Sequence, residues 1–487
     1  MARYDYDMGV IGGGAAGLTV AAGCAQLGLK TLLIEKEPVL GGDCLHFGCV
    51  PSKTLIRTAQ VYHQTKRLAA YGLPSVEPPP VDYGAVADRI RRVIAKIQTH
   101  DSEERFCGLG AQVEHGRPRF IDDHRVDLDG RSFSARYWAI CTGSSPAAPA
   151  IPGLNEAGYL TNKDIFSLDR LPASLISIGG GPIGMEMSQA FARLGTRVTV
   201  LQRGDQILDK EDKDMADLVL DRLIEEGLDV RLGVRVDRVE DRGSHKAVFY
   251  TDAEGTEASV QAENILAAVG RSPNVDDLDL ERAGVTHDRR GIQVDQRCRT
   301  DRKHIFAAGD ASGGYLFTHA AGYEGGIIVA NTAFHLPRET DYTFLPWCTY
   351  VQPELASIGM NEKRAAQAGI KPDVWTESFE DNDRAQAEGE GFGRLKMVMD
   401  EKENPVGVQI VGPQAGELLN EWVAVFAGKV KLTGLAGAVH PYPTLSEINK
   451  RVAGDFVASK LYSDKVKKAL KFFFNFKGRA CESNQTQ

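Results

Sequence analysis

Apolar and polar positions change their period several times along the chain, and the changes mark out its elements. Met8-Gly9-Val10-Ile11 is an apolar run that reads as a strand. Three glycines follow it, then an Ala/Leu-rich helical stretch from Leu18 to Leu27, then a second strand, Thr31 to Ile34, ending at Glu35. Tyr83 to Gly108 is charge-rich and predicts helix, and two β-prone stretches follow, 111–121 and 125–140. Cys141-Thr142-Gly143-Ser144-Ser145-Pro146 reads as a sharp turn, and Pro149, Pro152 and Gly153 mark a linker. Residues 230–250 and 258–268 alternate as strands, and Val269-Gly270-Arg271-Ser272-Pro273-Asn274 is another turn. From Leu345-Pro346 strands (349–359, 393–411) alternate with helices in α+β fashion. A proline-stiffened loop, Val439 to Glu447, leads into a helix there.

The opening unit occurs twice. Gly12, Gly14 and Gly17 stand in G-x-G-x-x-G register between strand and helix, with Glu35 closing the second strand. Such glycines permit a tight turn and let a pyrophosphate approach a helix N-terminus, while the acid is placed for ribose hydroxyls. Gly179, Gly181 and Gly184 repeat the spacing at a constant offset of 167 residues, without a gap through the following helix and strand. Two dinucleotide-binding units imply two dinucleotides and electron transfer between them. At the ribose position Glu35 is matched by Gln202, followed by Arg203. An acid there repels a 2′-phosphate and a guanidinium accommodates one, so NADPH is expected, with NADH as the alternative. Ile305-Phe306-Ala307-Ala308-Gly309-Asp310 places a carboxylate at a strand's C-terminal end, where open α/β sheets bind ligands.

Bulk properties narrow the class. At 487 residues the chain is too long for one core and is expected to divide into about three domains. A net charge of −9 argues against nucleic-acid binding. No run of 18 apolar residues is present, and the polar start before Met8 lacks the apolar core of a secretory signal. Six of the eight cysteines are scattered singly, so a reducing cytoplasm with one special pair is expected. Residues 460–479 mix six lysines with Leu461, Val466, Leu470 and four phenylalanines. Such a stripe can lie on a membrane surface, but burial against its own protein or a partner subunit is the expectation.

The special pair is Cys44 and Cys49, in Gly41-Gly42-Asp43-Cys44-Leu45-His46-Phe47-Gly48-Cys49-Val50-Pro51-Ser52-Lys53. Pro51 suits a first helical turn, which puts Cys49 near a positive dipole end where thiolates are favoured. On an ideal helix, residues five apart point about 140° away from each other, so joining the two sulfurs requires a distorted turn.

These motifs together resemble the class I pyridine nucleotide–disulfide oxidoreductases, which include dihydrolipoamide dehydrogenase, glutathione reductase and mercuric reductase. The resemblance rests on both fingerprints, the G-G-x-C-x-x-x-x-C-x-P-S-K segment, Thr142-Gly143, Gly270-Arg271, Ala308-Gly309-Asp310 and the Pro-Thr-Leu-Ser-Glu segment ending at Glu447. It implies an α/β fold with two Rossmann-like domains and an α+β dimerisation domain. The expected division is FAD-binding 1–152 and 275–344, NAD(P)-binding 153–274, dimerisation 345–460 and a basic amphipathic tail 461–487.

The resemblance further implies a homodimeric, cytoplasmic enzyme in which NAD(P)H reduces FAD, and FAD reduces a Cys44–Cys49 disulfide. Cys49 would be the thiolate nearer the flavin and Cys44 the interchange thiol, with Lys53 paired to Glu186. FAD would rest on Gly12, Gly14, Gly17, Glu35, Lys53, Thr142, Gly143, Gly309 and Asp310. The nicotinamide cofactor would rest on Gly179, Gly181, Gly184, Gln202, Arg203 and Gly270. Members that reduce disulfides carry a histidine before Pro-Thr, supplied by the partner subunit and paired with the residue matching Glu447; here that position is Tyr442. A phenol is a poor base at neutral pH, and His440 is the alternative. Tyrosine there resembles mercuric reductase, whose soft metal substrate the Cys44 and Cys49 thiolates would bind transiently. That family also carries a vicinal cysteine pair near its end, where this chain has Cys481 alone, and no structural metal is expected. A soft-metal or small-oxidant reductase is therefore the leading expectation. A dihydrolipoamide dehydrogenase-like enzyme is the alternative, and a slow flavoprotein sensor or partner-binding module is the alternative of another class.

Overall fold

The computed structural model describes residues 4–478 and 480, so Arg479 and Cys481 lie outside the described residues. It forms two units, Met1–Leu345 and Pro346–Gln487.

In the first unit a parallel sheet runs in the order Ala111–His115, Thr31–Glu35, Tyr6–Ile11, Arg131–Ile140, with Ile305–Ala307 also paired to the last strand. The strand Arg125–Leu128 pairs antiparallel to the other half of Arg131–Ile140 and carries Arg119–Phe120 beyond it. Parallel strands are covered on both faces, which explains their continuous apolar runs. Met8, Val10, Leu33, Ala139 and Phe306 face one core with Val20, Cys24 and Ile328 from the helices Ala15–Gln26 and Thr318–Ala333. The alternate residues Ile11, Leu32, Ile34, Trp138 and Ile140 face a second core. Gly9 lies under Trp138, where a Cβ would sit 2.3 Å from the indole ring.

The second sheet of this unit is also parallel, in the order Asp229–Arg231, Arg197–Leu201, Ser174–Ile178, Asn264–Ala267. Ile176, Ile178 and Ile265 share a core with Val239, Val248 and Tyr250 of a three-stranded antiparallel sheet. The turns around residues 142 and 270 run side by side, because Ser144–Pro146 pairs antiparallel with Arg271–Pro273. The helix Pro182–Leu194 is fastened by Arg193, whose Nε and Nη2 donate to Glu226 at 2.8 and 2.5 Å. The Arg193 side chain is buried and that of Glu226 is nearly so.

The second unit has a five-stranded antiparallel sheet in the order Pro346–Thr349, Glu354–Gly359, Pro405–Gly412, Arg394–Met399, Asp373–Ser378. The last of these is an edge strand with a partly polar pattern, and no apolar run announced it. The helices Ala415–Ala427 and Glu447–Leu461 bury Leu418, Trp422, Ile448 and Val452. Trp422 Nε1 donates to the buried Asn449 Oδ1 at 2.9 Å. A final helix, Asp464–Phe474, buries none of its residues. The expectation that its apolar stripe packs against its own protein is therefore not met among the described residues.

Removing one member of a buried ion pair leaves the other charge desolvated and costs about 3–5 kcal/mol. Glu226→Ala is expected to destabilise the protein by about that much in urea unfolding, whereas Arg193→Met combined with Glu226→Leu should recover most of the loss.

Candidate active site

Each fingerprint builds a cradle by the same contacts. A Cβ on Gly17 would lie 1.8 Å from Gly12 O, and one on Gly184 would lie 2.0 Å from Gly179 O. Gly12 and Gly179 themselves need positive φ, 105° and 114°. The middle glycines differ. A Cβ on Gly181 would meet nothing within 4 Å, and one on Gly14 would meet only Gly42 Cα at 3.8 Å. Gly14 and Gly181 are also the N-caps of Ala15–Gln26 and Pro182–Leu194, and neither helix start has a side-chain cap. Open space in front of uncapped N–H groups is what a pyrophosphate requires, so the residues present fit two dinucleotides.

Glu35 is buried, and its oxygens accept from Gly13 N at 2.5 Å and Glu37 N at 2.9 Å. Gln202 reproduces the first of these bonds with a neutral amide, its Oε1 accepting from Gly180 N at 2.9 Å while its Nε2 donates to Gln206 O. Arg203 beside it is exposed. Thr142 and Asn274 exchange two bonds, 2.6 and 2.9 Å, and Gly143 O accepts from Asn274 N. Gly270 O accepts from Ala147 N, closing the same crossing.

The cysteines stand on separate helices. Cys44 is in Gly42–His46 and Cys49 is the first residue of Cys49–Thr65, with the break at Phe47 and Gly48. Asn162 Nδ2 donates to the Phe47 carbonyl at 2.9 Å, satisfying an acceptor that the break leaves without a helical partner. This is the distorted turn that the spacing demanded. Both residues are thiols here and hydrogen-bond to each other. That bond, the hydroxyl of Thr318 at 3.4 Å and the charge of Lys53 bring Cys49 down to about 6. The same bond, together with burial, drives Cys44 well above the ordinary thiol range. One proton is thus shared unequally, with Cys49 as the thiolate and Cys44 as its donor.

Thr318 opens the helix Thr318–Ala333, so a second helix N-terminus faces the thiols in addition to their own. Nothing in the sequence pattern singled it out. Lys53, one turn beyond Cys49, donates to Glu186 Oε2 at 2.7 Å; the lysine is partly exposed and the glutamate buried.

Asp43 and Asp310 are joined through Arg271. Its Nη2 donates to Asp43 Oδ2 at 3.0 Å, its Nε donates to Ser144 Oγ at 2.7 Å, and Ser144 Oγ donates to Asp310. Burial raises the Asp310 carboxyl, against the pull of Ser144 and Arg271. Beneath it, Gly309 N donates to the buried Glu324 at 2.6 Å, which also accepts from Tyr342.

In the second unit Tyr442 is 70% exposed and its hydroxyl donates to Asp383 Oδ2 at 2.8 Å. That bond raises its pKa, with Glu447 contributing only through its charge. Glu447 Oε2 instead accepts from Thr444 N at 3.4 Å, in the loop just before its helix. Tyr442 is thus bonded to Asp383 and not to Glu447. His440 Nε2 donates to Glu421 Oε1 at 2.7 Å, and Glu421 Oε2 accepts from Asn449 Nδ2 at 2.9 Å.

The family described as pyridine nucleotide-disulphide oxidoreductase matches residues 6–325, and its dimerisation domain matches residues 345–453. The chain belongs to this family. Pyridine nucleotide–disulphide oxidoreductases are FAD-dependent enzymes that use NAD(P)H. The chain is 33% identical to a mercuric reductase of Lysinibacillus sphaericus, over 93% of this chain and 83% of that protein. It is 34% identical to dihydrolipoyl dehydrogenase 2 of Haloarcula marismortui, over 90% and 94%. Among solved structures, the Cu(II) complex of the HOCl-induced flavoprotein disulfide reductase RclA from Escherichia coli superposes with a TM-score of 0.82 at 27% identity, covering 93% of this chain and 99% of that one.

In the reduced oxidoreductase, alkylation of Cys49 by iodoacetamide, mapped by mass spectrometry, is expected to rise through about pH 6 and to level off well below the range of an ordinary thiol. Thr318→Val removes a donor to the thiolate and should move that titration upward, leaving Cys44 unreactive across the same range.

Proposed function

We propose that this oxidoreductase draws electrons from NADPH and delivers them through Cys44 and Cys49 to a soft metal ion or a small oxidant. The observation that carries the reading is Tyr442. A phenol that already donates its proton to Asp383, with its pKa raised, is no base for a dithiol substrate at neutral pH. A soft metal ion needs thiolates rather than a proton relay, and Cys44 and Cys49 supply two sulfurs. The copper(II) complex of RclA and the relatedness to mercuric reductases support the reading.

FAD would rest on Gly12, Gly14, Gly17, Glu35, Lys53, Thr142, Gly143, Gly309 and Asp310; NADPH would rest on Gly179, Gly181, Gly184, Gln202, Arg203 and Gly270. When bound, FAD supplies the two-electron relay between nicotinamide and sulfur. Residues 1–152 and 275–344 would form its domain, and 153–274 that of the nicotinamide cofactor. Gln202 ties the fingerprint turn without adding a negative charge, and Arg203 offers a cation, which favours a 2′-phosphate. Reduction of a Cys44–Cys49 bridge would leave Cys49 as thiolate and Cys44 carrying the proton; the family resemblance makes Cys44 the sulfur that meets substrate, which it would do after giving up that proton. Lys53 keeps a positive charge near Cys49 and is itself held by Glu186. The dimerisation-domain match supports a homodimer in which a second copy supplies the Tyr442 loop. Outside the Cys44–Cys49 pair the cysteines are scattered singly along the sequence, which fits a reducing cytoplasm.

A dithiol substrate is the second reading, and one observation favours it. The His440–Glu421 pair is an imidazole held by a carboxylate two residues from Tyr442.

Turnover of NADPH with Cu(II), Hg(II), lipoamide, glutathione disulfide and a quinone distinguishes the readings. A metal ion or the quinone is expected to outrun both disulfides, and NADPH to outrun NADH; lipoamide as the fastest acceptor by far would sink the proposal. Tyr442→His is expected to raise disulfide reduction by roughly 100-fold, the scale of a positioned acid–base group. Turnover with the metal ion should change little.

A further inference from the structure

The helix Asp464–Phe474 lies beyond both family matches, which end at residues 325 and 453. It carries Lys465, Lys467, Lys468 and Lys471 against a single acid, Asp464, in a chain whose net charge is −9. Successive helical residues are about 100° apart, so Val466, Leu470, Phe473 and Phe474 share one side and the four lysines occupy the other. None of these residues is buried.

The far end departs from an ordinary amphipathic pattern. Phe472, Phe473 and Phe474 are consecutive and point in three directions, and Phe476 follows just past the helix. They are 82, 74, 64 and 56% exposed. Phe472 and Phe473 meet edge to face at 5.3 Å, and Phe474 stacks with Phe476 at 5.7 Å, so the rings contact each other within an exposed cluster. A flat protein surface covers one side of a helix and would leave Phe472 in water beside the lysines. Acyl chains have no fixed shape and close around all four rings.

We propose that residues 464–477 form an in-plane anchor on an anionic lipid surface. The phenylalanine end enters the boundary between headgroups and acyl chains, and the lysines lie over lipid phosphates. At about 16 Å the helix is too short to span a bilayer, and among the described residues no helix is long and apolar enough to do so. Lysine stems beside an apolar face can bend their ammonium groups outward to headgroup level. The positive charge also serves docking directly, because an acidic protein is otherwise repelled by an anionic membrane. The inference is independent of the substrate assigned to the thiols.

The test is flotation of the full-length, FAD-loaded enzyme with vesicles of phosphatidylcholine alone or mixed with phosphatidylglycerol. Wild type is expected to float with the anionic vesicles and only weakly with the neutral ones. Phe473→Ser combined with Phe474→Ser, and separately Lys467→Glu combined with Lys471→Glu, should each lower the bound fraction roughly tenfold or more. Turnover of NADPH and sedimentation as a dimer report that each variant is folded. Wild type remaining with the unbound protein would overturn the proposal, as would variants that float like wild type. Loss of the dimer in the phenylalanine variant, with no vesicle binding by wild type, would instead assign this face to a second copy of the chain.

Discussion

Gly17 lies so close to the carbonyl of Gly12 that a side chain of any size would displace the strand from the helix, and Gly184 stands in the same relation to Gly179. The remaining site geometry follows from these backbone contacts. They set the angle at which each helix leaves its strand and aim the uncapped helix starts at open space. They also put Glu35 and Gln202 within reach of the turn amides. The Gly42–His46 helix carrying Cys44 begins against the first cradle, where a Cβ on Gly42 would sit 2.7 Å from Gly14 Cα. Cofactor cradle and redox pair are thus packed backbone to backbone, which leaves little freedom in their relative placement.

Charge is distributed around the thiols with a consistent purpose. Two helix N-termini, the Thr318 hydroxyl and Lys53 all favour a negative Cys49, while Cys44 retains the proton. Two of the nearest acids are occupied: Glu186 by Lys53, and Asp43 by Arg271. Arg271 also reaches Asp310 through Ser144, so one guanidinium neutralises the acid beside Cys44 and steadies the acid at the sheet edge. Substituting lysine there would keep the charge and lose the fork that spans both partners.

The second unit departs from the disulfide-reducing pattern in a physically legible way. With tyrosine at 442, the phenol takes a carboxylate from a different element, Asp383, and Glu447 accepts from Thr444 N in its own loop. The loop holds an exposed phenol bonded to a carboxylate. The exposed aromatic end of Asp464–Phe474 lies in the same unit and outside the family matches, where a new surface can be added without disturbing the shared fold.

The sequence alone determined what local spacing can determine. The glycine triads, the cysteine pair with Pro51 behind it and the strand–helix rhythm of each Rossmann unit are each set within about 30 residues, the range over which a turn and its flanking elements constrain one another. The recurrence of the unit 167 residues on is visible by direct comparison of the two stretches. It also identified Tyr442 as the departure, because a residue type is visible without its neighbours. Only the tertiary structure could show Thr318 against Cys49, 269 residues away, or Asp383 holding Tyr442, 59 residues away. These partners carry no local motif: a threonine opening an apolar helix and an aspartate in a short helix look like ordinary capping residues. The edge strand 373–378 escaped for a related reason, since two of its six residues are exposed and none is fully buried. The fate of the lysine–phenylalanine stripe was undecidable from composition, because the same pattern serves a core-facing helix and an interfacial one. Exposure distinguishes them, and exposure is a property of the folded neighbours that a helix does or does not have.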